Sequence, residues 1–323
     1  MRLLLIRHGE TVDNVAGIYA GTTDSALTSH GVLQANRLAI HLAATDIKIS
    51  HIFSSDLQRA AKTADAIRVA QSPASERVMR LPILREQDFG FYEGKQFFER
   101  PRGSNKTGKE AHLAAHRNEP GFKDVESKPA MTLRMETFID THLLQLIKEV
   151  HEEHAVVVVA HGIILTYLWR CIIRRFHPND VSVAPGIVTG DRGIEYLGGW
   201  SNTGYLELEV KQRAMLVSIP LPIPVAEPVQ ADISAPSLPI SRQPLPPSDS
   251  SSIPEQPNTP LSASVTSAEV SRPKLLHHSL VVKAVNSQEH LKGLKKTRGG
   301  IGSLKHDTSQ KTVDSFFKKQ RTE

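Results

Sequence analysis

Hydrophobic residues follow two rhythms in the first two thirds of this chain. LLLI at residues 3–6 and AVVVVA at residues 155–160 are short continuous apolar runs. Such runs read as strands covered on both faces. HIFSSD at 51–56 reads as another short strand, and the alternating GYLELEV at 204–210 as a final one. The other rhythm is helical. In LTSHGVLQANRLAIHLAAT, apolar residues recur at Val32, Ala35, Leu38, Ala39 and Leu42, with Thr28 placed to cap the helix. LQRAAKTADAIRVA and IILTYLWRCIIRRF each follow a strand at once, and residues 130–153 give a long amphipathic helix. This alternation predicts an α/β domain with a mostly parallel sheet covered on both faces. Ligands of such sheets sit beyond the carboxyl ends of the strands.

Two stretches break the pattern. Residues 99–129 are polar, basic and marked by glycine and proline, and read as an insertion or lid, with a helix around 110–117. Residues 220–273 hold 13 of the 20 prolines and much serine. That composition cannot bury enough apolar surface to offset its ordering entropy. The expected organisation is a domain over 1–214, a disordered linker over 215–270 and a disordered basic tail over 271–323.

Charge supports that division. The 323 residues carry a net charge of +5, with 13 Lys/Arg and 9 Asp/Glu from residue 215 onward against 26 and 25 before it. A basic tail on a neutral body reads as an interaction arm, not as a nucleic-acid-binding fold. The single cysteine, Cys171, lies in an apolar run and reads as a small core residue. No intrachain disulfide is then possible, which fits a reducing compartment. Arg7 and His8 cut the first apolar run too early for a secretory signal. No stretch approaches the ~18 apolar residues of a membrane span. The expectation is a soluble protein of the cytoplasm, the nucleus or both.

The strand ends carry the candidate chemistry. They give Arg7-His8-Gly9, then Ser54-Ser55-Asp56-Leu57-Gln58-Arg59, then Ala160-His161-Gly162. In a parallel sheet these ends share one edge. Arg7, His8, Arg59 and His161 then converge, with the glycines letting backbone approach a ligand. Two arginines and two histidines at one place call for an anion, and the arginine fork fits phosphate. A histidine among arginines is held neutral by like-charge repulsion, and a neutral imidazole can attack phosphorus. In LREQDFGFYEG at 84–94, Glu86 is the candidate general acid and Glu93 the second choice.

RHGET with Asn14, GTTDSALTSHGVLQA, SSDLQRAAKTA, LREQDFGFYEG and VVVVAHG together resemble the histidine phosphatase superfamily, in its phosphoglycerate-mutase-like branch. The resemblance covers residues 1 to about 211. It implies a three-layer α/β/α sandwich, with His8 as phosphorylated nucleophile and Glu86 as proton donor. Arg7, Asn14, Arg59, His161 and Gly162 then hold the phosphate. It implies no metal and no organic cofactor, and a small phosphorylated substrate. Mutases of this family have a tyrosine pair and adjacent arginines after the acid loop. Here Tyr92 stands alone and Arg100 and Arg102 are separated, so hydrolysis of a phosphate monoester is expected. Phosphoglycerate mutase-type transfer and a clamp-binding scaffold with an incidental phosphatase fold are the alternatives.

The end of the chain carries a different signal. Gln310, Val313, Phe316 and Phe317 in SQKTVDSFFKKQRTE resemble the box that binds the replication sliding clamp (PCNA). One helical turn puts Val313 and the two phenylalanines on one side as anchors for an apolar pocket. LKGLKKTRGG at 291–300 has the composition of a nuclear-import signal.

Overall fold

Leu3, Leu4, Leu5 and Ile6 are all fully buried, because a layer of helices covers each face of their strand. The computed structural model describes residues 1–45, 47–71, 77–97, 108–149, 151, 153–187, 193–213, 275–295 and 301–307. In chain order its elements begin β1 (Arg2–Arg7), α1 (Val12–Ala16), α2 (Ser29–Ala43), β2 (Lys48–Ser54), α3 (Gln58–Ala70) and β3 (Met79–Arg80). There follow α4 (Gly108–His116), α5 (Lys128–Phe138), α6 (Leu144–Glu149), β4 (His154–Ala160) and α7 (Gly162–Ile173). The last are β5 (Val181–Val183), β6 (Tyr205–Gln212) and β7 (His278–Ser287). A π turn over Ile139–Leu143 joins α5 to α6, so the single long helix expected there is one helix with a register slip.

The sheet order is β3-β2-β4-β1-β6-β7-β5. β1 pairs in parallel with β4, as β2 does with β4 and with β3, while β6 runs antiparallel to both β1 and β7. Side chains alternate across the sheet into two cores. Leu3, Leu5, Val156 and Val158 pack with Met135, Phe138, Leu165 and Leu168 of α5 and α7. Leu4, Ile6, Val157 and Val159 pack with Leu38, Leu42, Ala60 and Ile67 of α2 and α3. Burial at each large aliphatic position is worth about 1.5–3 kcal/mol. Thr28 caps α2 as expected, its hydroxyl accepting from Gly31 N–H at 2.9 Å.

The register fixes the active edge. Arg7 pairs with Ala160, and Ser54 with Val159. Hence His8, Ser55 and His161 all leave the sheet at one end.

The expectation of a disordered tail is corrected for residues 275–295 and 301–307. β7 adds to β6 in antiparallel pairing, and its Leu280 and Val282 are fully buried in the α5/α7 core, joined by Leu275. Residues 301–307 rest on the start of α2, where Ser29 N–H donates to Leu304 O and His306 N–H to Leu27 O. The basic charge count had concealed the short apolar run of LVVKAV. The domain therefore draws on residues beyond 214. Part of the expected lid is described: α4 leads into Phe122, whose ring stacks near Phe91 at 5.4 Å. The linker over 215–270, residues 98–107 with Arg100 and Arg102, and the box at 310–317 lie outside the described residues.

Candidate active site

A cavity of about 470 Å³ opens at the shared strand end, with Arg7, His8, Asn14, Arg59, Glu86, His161 and Gly162 in its lining. Every residue expected at the site thus borders one space. Their hydrogen bonds assign distinct positions to them.

His8 is buried, and its Nδ1 lies 2.7 Å from Gly9 O. A carbonyl only accepts, so the proton is on Nδ1 and Nε2 carries a free lone pair. Burial first, then the charges of Arg59 and Arg7, push the His8 pKa well below the ordinary 6.5, against the opposing Gly9 bond. His161 is the mirror case. Its Nδ1 accepts from Arg59 Nε at 3.1 Å, so its proton is on Nε2. That Nε2 is buried and has no partner among the described residues, and neither does Arg7 Nε. Burial, Arg59, His8, Arg7 and Arg134, in that order, also hold the His161 pKa well below 6.5. The two rings stand edge to face, 5.0 Å apart.

Arg59 differs from its expected use. Its guanidinium donates to Thr23 O at 2.7 Å, Ala20 O at 2.9 Å and Gly21 O at 2.8 Å, besides His161. Four of its five N–H groups are thereby committed, so it cannot form the two-pronged phosphate grip without rearranging. It supplies positive charge, ties the 20–23 loop and orients His161. Arg7 is freer, with Nη1 donating to Trp200 O at 2.6 Å. Burial lowers the pKa of both arginines and the charge of Glu86 opposes this.

Glu86 lies at the start of α7. Its Oε2 accepts from Ile163 N–H at 3.0 Å and its Oε1 from Ile164 N–H at 2.9 Å and Gln87 N–H at 3.0 Å. Arg134 steadies this loop by donating to Ile83 O and Arg85 O while forking onto Glu126 at 3.0 and 2.7 Å. Glu93, the second choice, is spent elsewhere. It accepts from Gly21, Thr22, Thr23 and Phe89 N–H and from the Thr23 hydroxyl. Burial pushes its pKa up, but the bonds from Thr23, Phe89 and Thr22 outweigh this and hold it below the usual value. It staples the 20–23 loop to the acid loop and does not border the cavity.

Gly9 also needs correcting. A Cβ there would lie 2.6 Å from Gly31 O, so the glycine admits the start of α2, not a ligand. In RHGET, Glu10 and Thr11 are structural. Glu10 accepts from the Thr28 hydroxyl, and Thr11 caps α1.

Sequence reasoning missed the loop at 198–204. β6 is antiparallel, so the residues entering it reach the same edge as those leaving β1 and β4. Asn202 Nδ2 donates to His8 O and to Asn14 Oδ1, each at 3.1 Å. Asn14 Oδ1 also accepts from Thr11 N–H, which leaves the Asn14 amide N–H groups to face a ligand. Thr203 N–H donates to Arg7 O at 3.0 Å. β7 in turn holds this loop. Asn286 Oδ1 accepts from Ser201 N–H at 2.8 Å, and Asn286 Nδ2 and Gln288 Nε2 both donate to the Ser201 hydroxyl at 3.0 Å. The polar SNTG before the last expected strand was the available signal, but the direction of that strand was not.

Fold and site together define a class of protein with a neutral histidine set among cationic donors at an α/β sheet edge. The comparisons with known proteins agree. The profile of the histidine phosphatase superfamily (branch 1) matches residues 3–183, and the chain belongs to that superfamily. It is similar to a probable phosphatase of Schizosaccharomyces pombe, 35% identical over 178 residues, which are 53% of this chain and 56% of that protein. It is also similar to the metal-independent phosphoserine phosphatase of Arabidopsis thaliana, 29% identical over 205 residues, 63% of this chain and 82% of that one. Among solved structures, phosphoglycerate mutase from Bacillus anthracis matches with a TM-score of 0.49 and 22% identity over 64% of this chain and 87% of its own. The chain spans about half the length of several curated relatives it matches. Trp200, Asn202 and Asn286 lie beyond the residues that the superfamily profile matches.

Proposed function

We propose that this protein hydrolyses a phosphate monoester through a phosphohistidine at His8. One observation carries the reading: two buried N–H donors without partners among the described residues, Arg7 Nε and His161 Nε2, border the same cavity as the free lone pair of His8 Nε2. Buried donors are normally satisfied, and a phosphoryl group supplies the missing acceptors. With Asn14 they form a cradle for the oxygens on which charge is held during transfer.

The bonds balance in two steps. The Nε2 lone pair of His8 attacks phosphorus, the P–O bond to the alcohol breaks, and Glu86 gives the leaving oxygen a proton. Water then attacks the phosphohistidine. Its proton goes to Glu86, the P–N bond breaks and inorganic phosphate leaves. Splitting the displacement this way replaces one difficult step by two easier ones. Branch membership and the phosphatase-named relatives support the same reaction. The test is turnover of p-nitrophenyl phosphate together with trapping by an alkaline detergent quench. The wild type should hydrolyse the ester and yield an acid-labile, base-stable phosphoenzyme, and His8→Ala should do neither. Turnover persisting in His8→Ala would overturn the mechanism.

The clamp box is a separate proposal. Its support is the sequence alone: Gln310, Val313, Phe316 and Phe317 in register, with Lys318, Lys319 and Arg321 suited to an acidic rim. Capture by a sliding clamp that is lost in Phe316→Ala/Phe317→Ala is the expected result. Equal capture of both forms refutes it.

A further inference from the structure

The base and the mouth of the cavity differ in chemistry. Among the described residues, the charged and imidazole groups that line it, Arg7, His8, Arg59, Glu86 and His161, gather at the strand ends. Ile18, Tyr19, Phe89, Phe97, Tyr167 and Trp200 line much of the rest. The rings form a built wall. Tyr19 packs against Phe89 and against Phe97, each with centroids 4.7 Å apart. Trp200 is pinned across the opening by its Nε1–H donating to Thr166 Oγ1 at 3.0 Å. None of these six residues is fully buried, and Phe97 is 52% exposed. Aromatic area left partly in water beside a polar base is the usual make-up of a site that takes up an apolar group.

The neighbouring cations do not alter this. Lys95 places its ammonium over the Phe91 ring, and Arg170 stacks over Tyr196 at 4.6 Å with Tyr167 at 5.8 Å. Neither borders the cavity. A second phosphate or a carboxylate on the substrate would meet aromatic faces, which carry negative charge density, and would lose water without gaining a partner.

We infer that the aromatic wall formed by the described residues receives an apolar or aromatic alcohol half of the substrate. This rests on the phosphomonoesterase reading above and assigns its substrate class. It separates this chain from an enzyme specialised for phosphoglycerate or phosphoserine.

Three alkyl esters with leaving alcohols of similar basicity test it on the full chain: 2-phenylethyl phosphate, glycerol 3-phosphate and 3-phosphoglycerate. Similar leaving groups keep intrinsic reactivity from imitating recognition. The expected kcat/KM for the phenylethyl ester exceeds that for either other ester by at least about tenfold, the discrimination one well-buried apolar group supplies. Tyr19→Ala should shrink that ratio at least about threefold, since its ring holds Phe89 and Phe97 in place. Tyr167→Arg should raise the relative rate on 3-phosphoglycerate by giving its carboxylate a cation. Equal rates on the three esters, an advantage for 3-phosphoglycerate, or a ratio unmoved by Tyr19→Ala overturns the inference and leaves the phosphatase reading standing. Inertness of all three overturns both. An advantage for 3-phosphoglycerate would also point to Arg100, Arg102 and Lys106, which follow Phe97 in sequence, as the source of the missing charge.

Discussion

Arg59 Nε donates to His161 Nδ1 at 3.1 Å, and this one bond decides which nitrogen of His161 presents a proton to the cavity. Guanidinium never accepts, so the tautomer is fixed without a carboxylate partner. Lysine could supply the charge but not this bond together with the three to backbone carbonyls. Arg59→Lys should lower kcat by about a hundredfold, comparable with removing one transition-state donor. It should also lower the unfolding free energy by about 1–3 kcal/mol, because the carbonyls of Ala20, Gly21 and Thr23, of which Gly21 is buried, lose their donor. Steady-state kinetics and denaturant melts check the two effects. Wild-type kinetics in this variant would remove Arg59 from the site.

Protonation at His8 and His161 is visible directly. With both pKa values held well below 6.5 by burial and by Arg59, both rings stay neutral through the neutral range. Isotope-labelled imidazole nitrogens should report the Nδ1–H form for His8 and the Nε2–H form for His161. Neither should titrate near pH 6.5. An imidazolium signal from His8 at neutral pH would contradict a nucleophile with a free lone pair.

Asn286 is a positioning residue. It is bonded to Ser201 of the 198–204 loop, and that loop carries Asn202 on His8 O and Trp200 on Arg7. Asn286→Ala should lower kcat about tenfold or more with little change in KM, since a small misplacement of reacting groups is costly. Asn286→Asp keeps the acceptor for Ser201 N–H and should recover part of the loss. A change in KM alone, or no rescue, would point to a different role. From the other side of the same contact, Gly204→Ala would place a Cβ 2.1 Å from Asn286 Oδ1, so it should displace that side chain from Ser201 and lower kcat as Asn286→Ala does.

His290 predicts how stability depends on pH. The Thr203 hydroxyl donates to Asn202 O, so it must accept from His290 Nε2–H at 2.9 Å, which leaves His290 Nδ1 buried without a partner. Burial first, then His41, lowers the His290 pKa to about 4. The unfolded chain binds the proton near pH 6.5, so the stabilisation is full above that value and is lost as pH falls toward about 4. The loss is of order 3 kcal/mol. Tm should drop across that window, and His290→Phe should flatten the drop. An unchanged slope in the variant would assign the acid sensitivity to His8 and His161, which act in the same direction.

Legibility followed how local each determinant is. β1, β4 and their flanking helices could be read because their continuous apolar runs admit few other fates. The strand ends then told which charged residues meet. What could not be read came from pairing over long distances. LVVKAV looks like any short apolar run until β6 offers it an edge, and Asn202 becomes informative only once β6 is known to run backwards. The structural roles of Glu93 and Gly9 were hidden for a related reason. Sequence shows that a carboxylate or a missing side chain is present, but not whether loop amides or a neighbouring helix has already claimed it.

The β6–β7 pairing has a consequence for how the molecule is made. A ribosome adding roughly 5–20 residues per second needs several seconds between Gln212 and His278. During that interval β6 has one open edge, the kind of surface that recruits the wrong strand. The loop that sets Arg7, His8 and Asn14 also waits for Asn286. On the proposed mechanism, the nascent chain holds His8 long before Asn286 can fix the loop beside it, and activity would arrive late in synthesis. A chain released early would fold around an idle site.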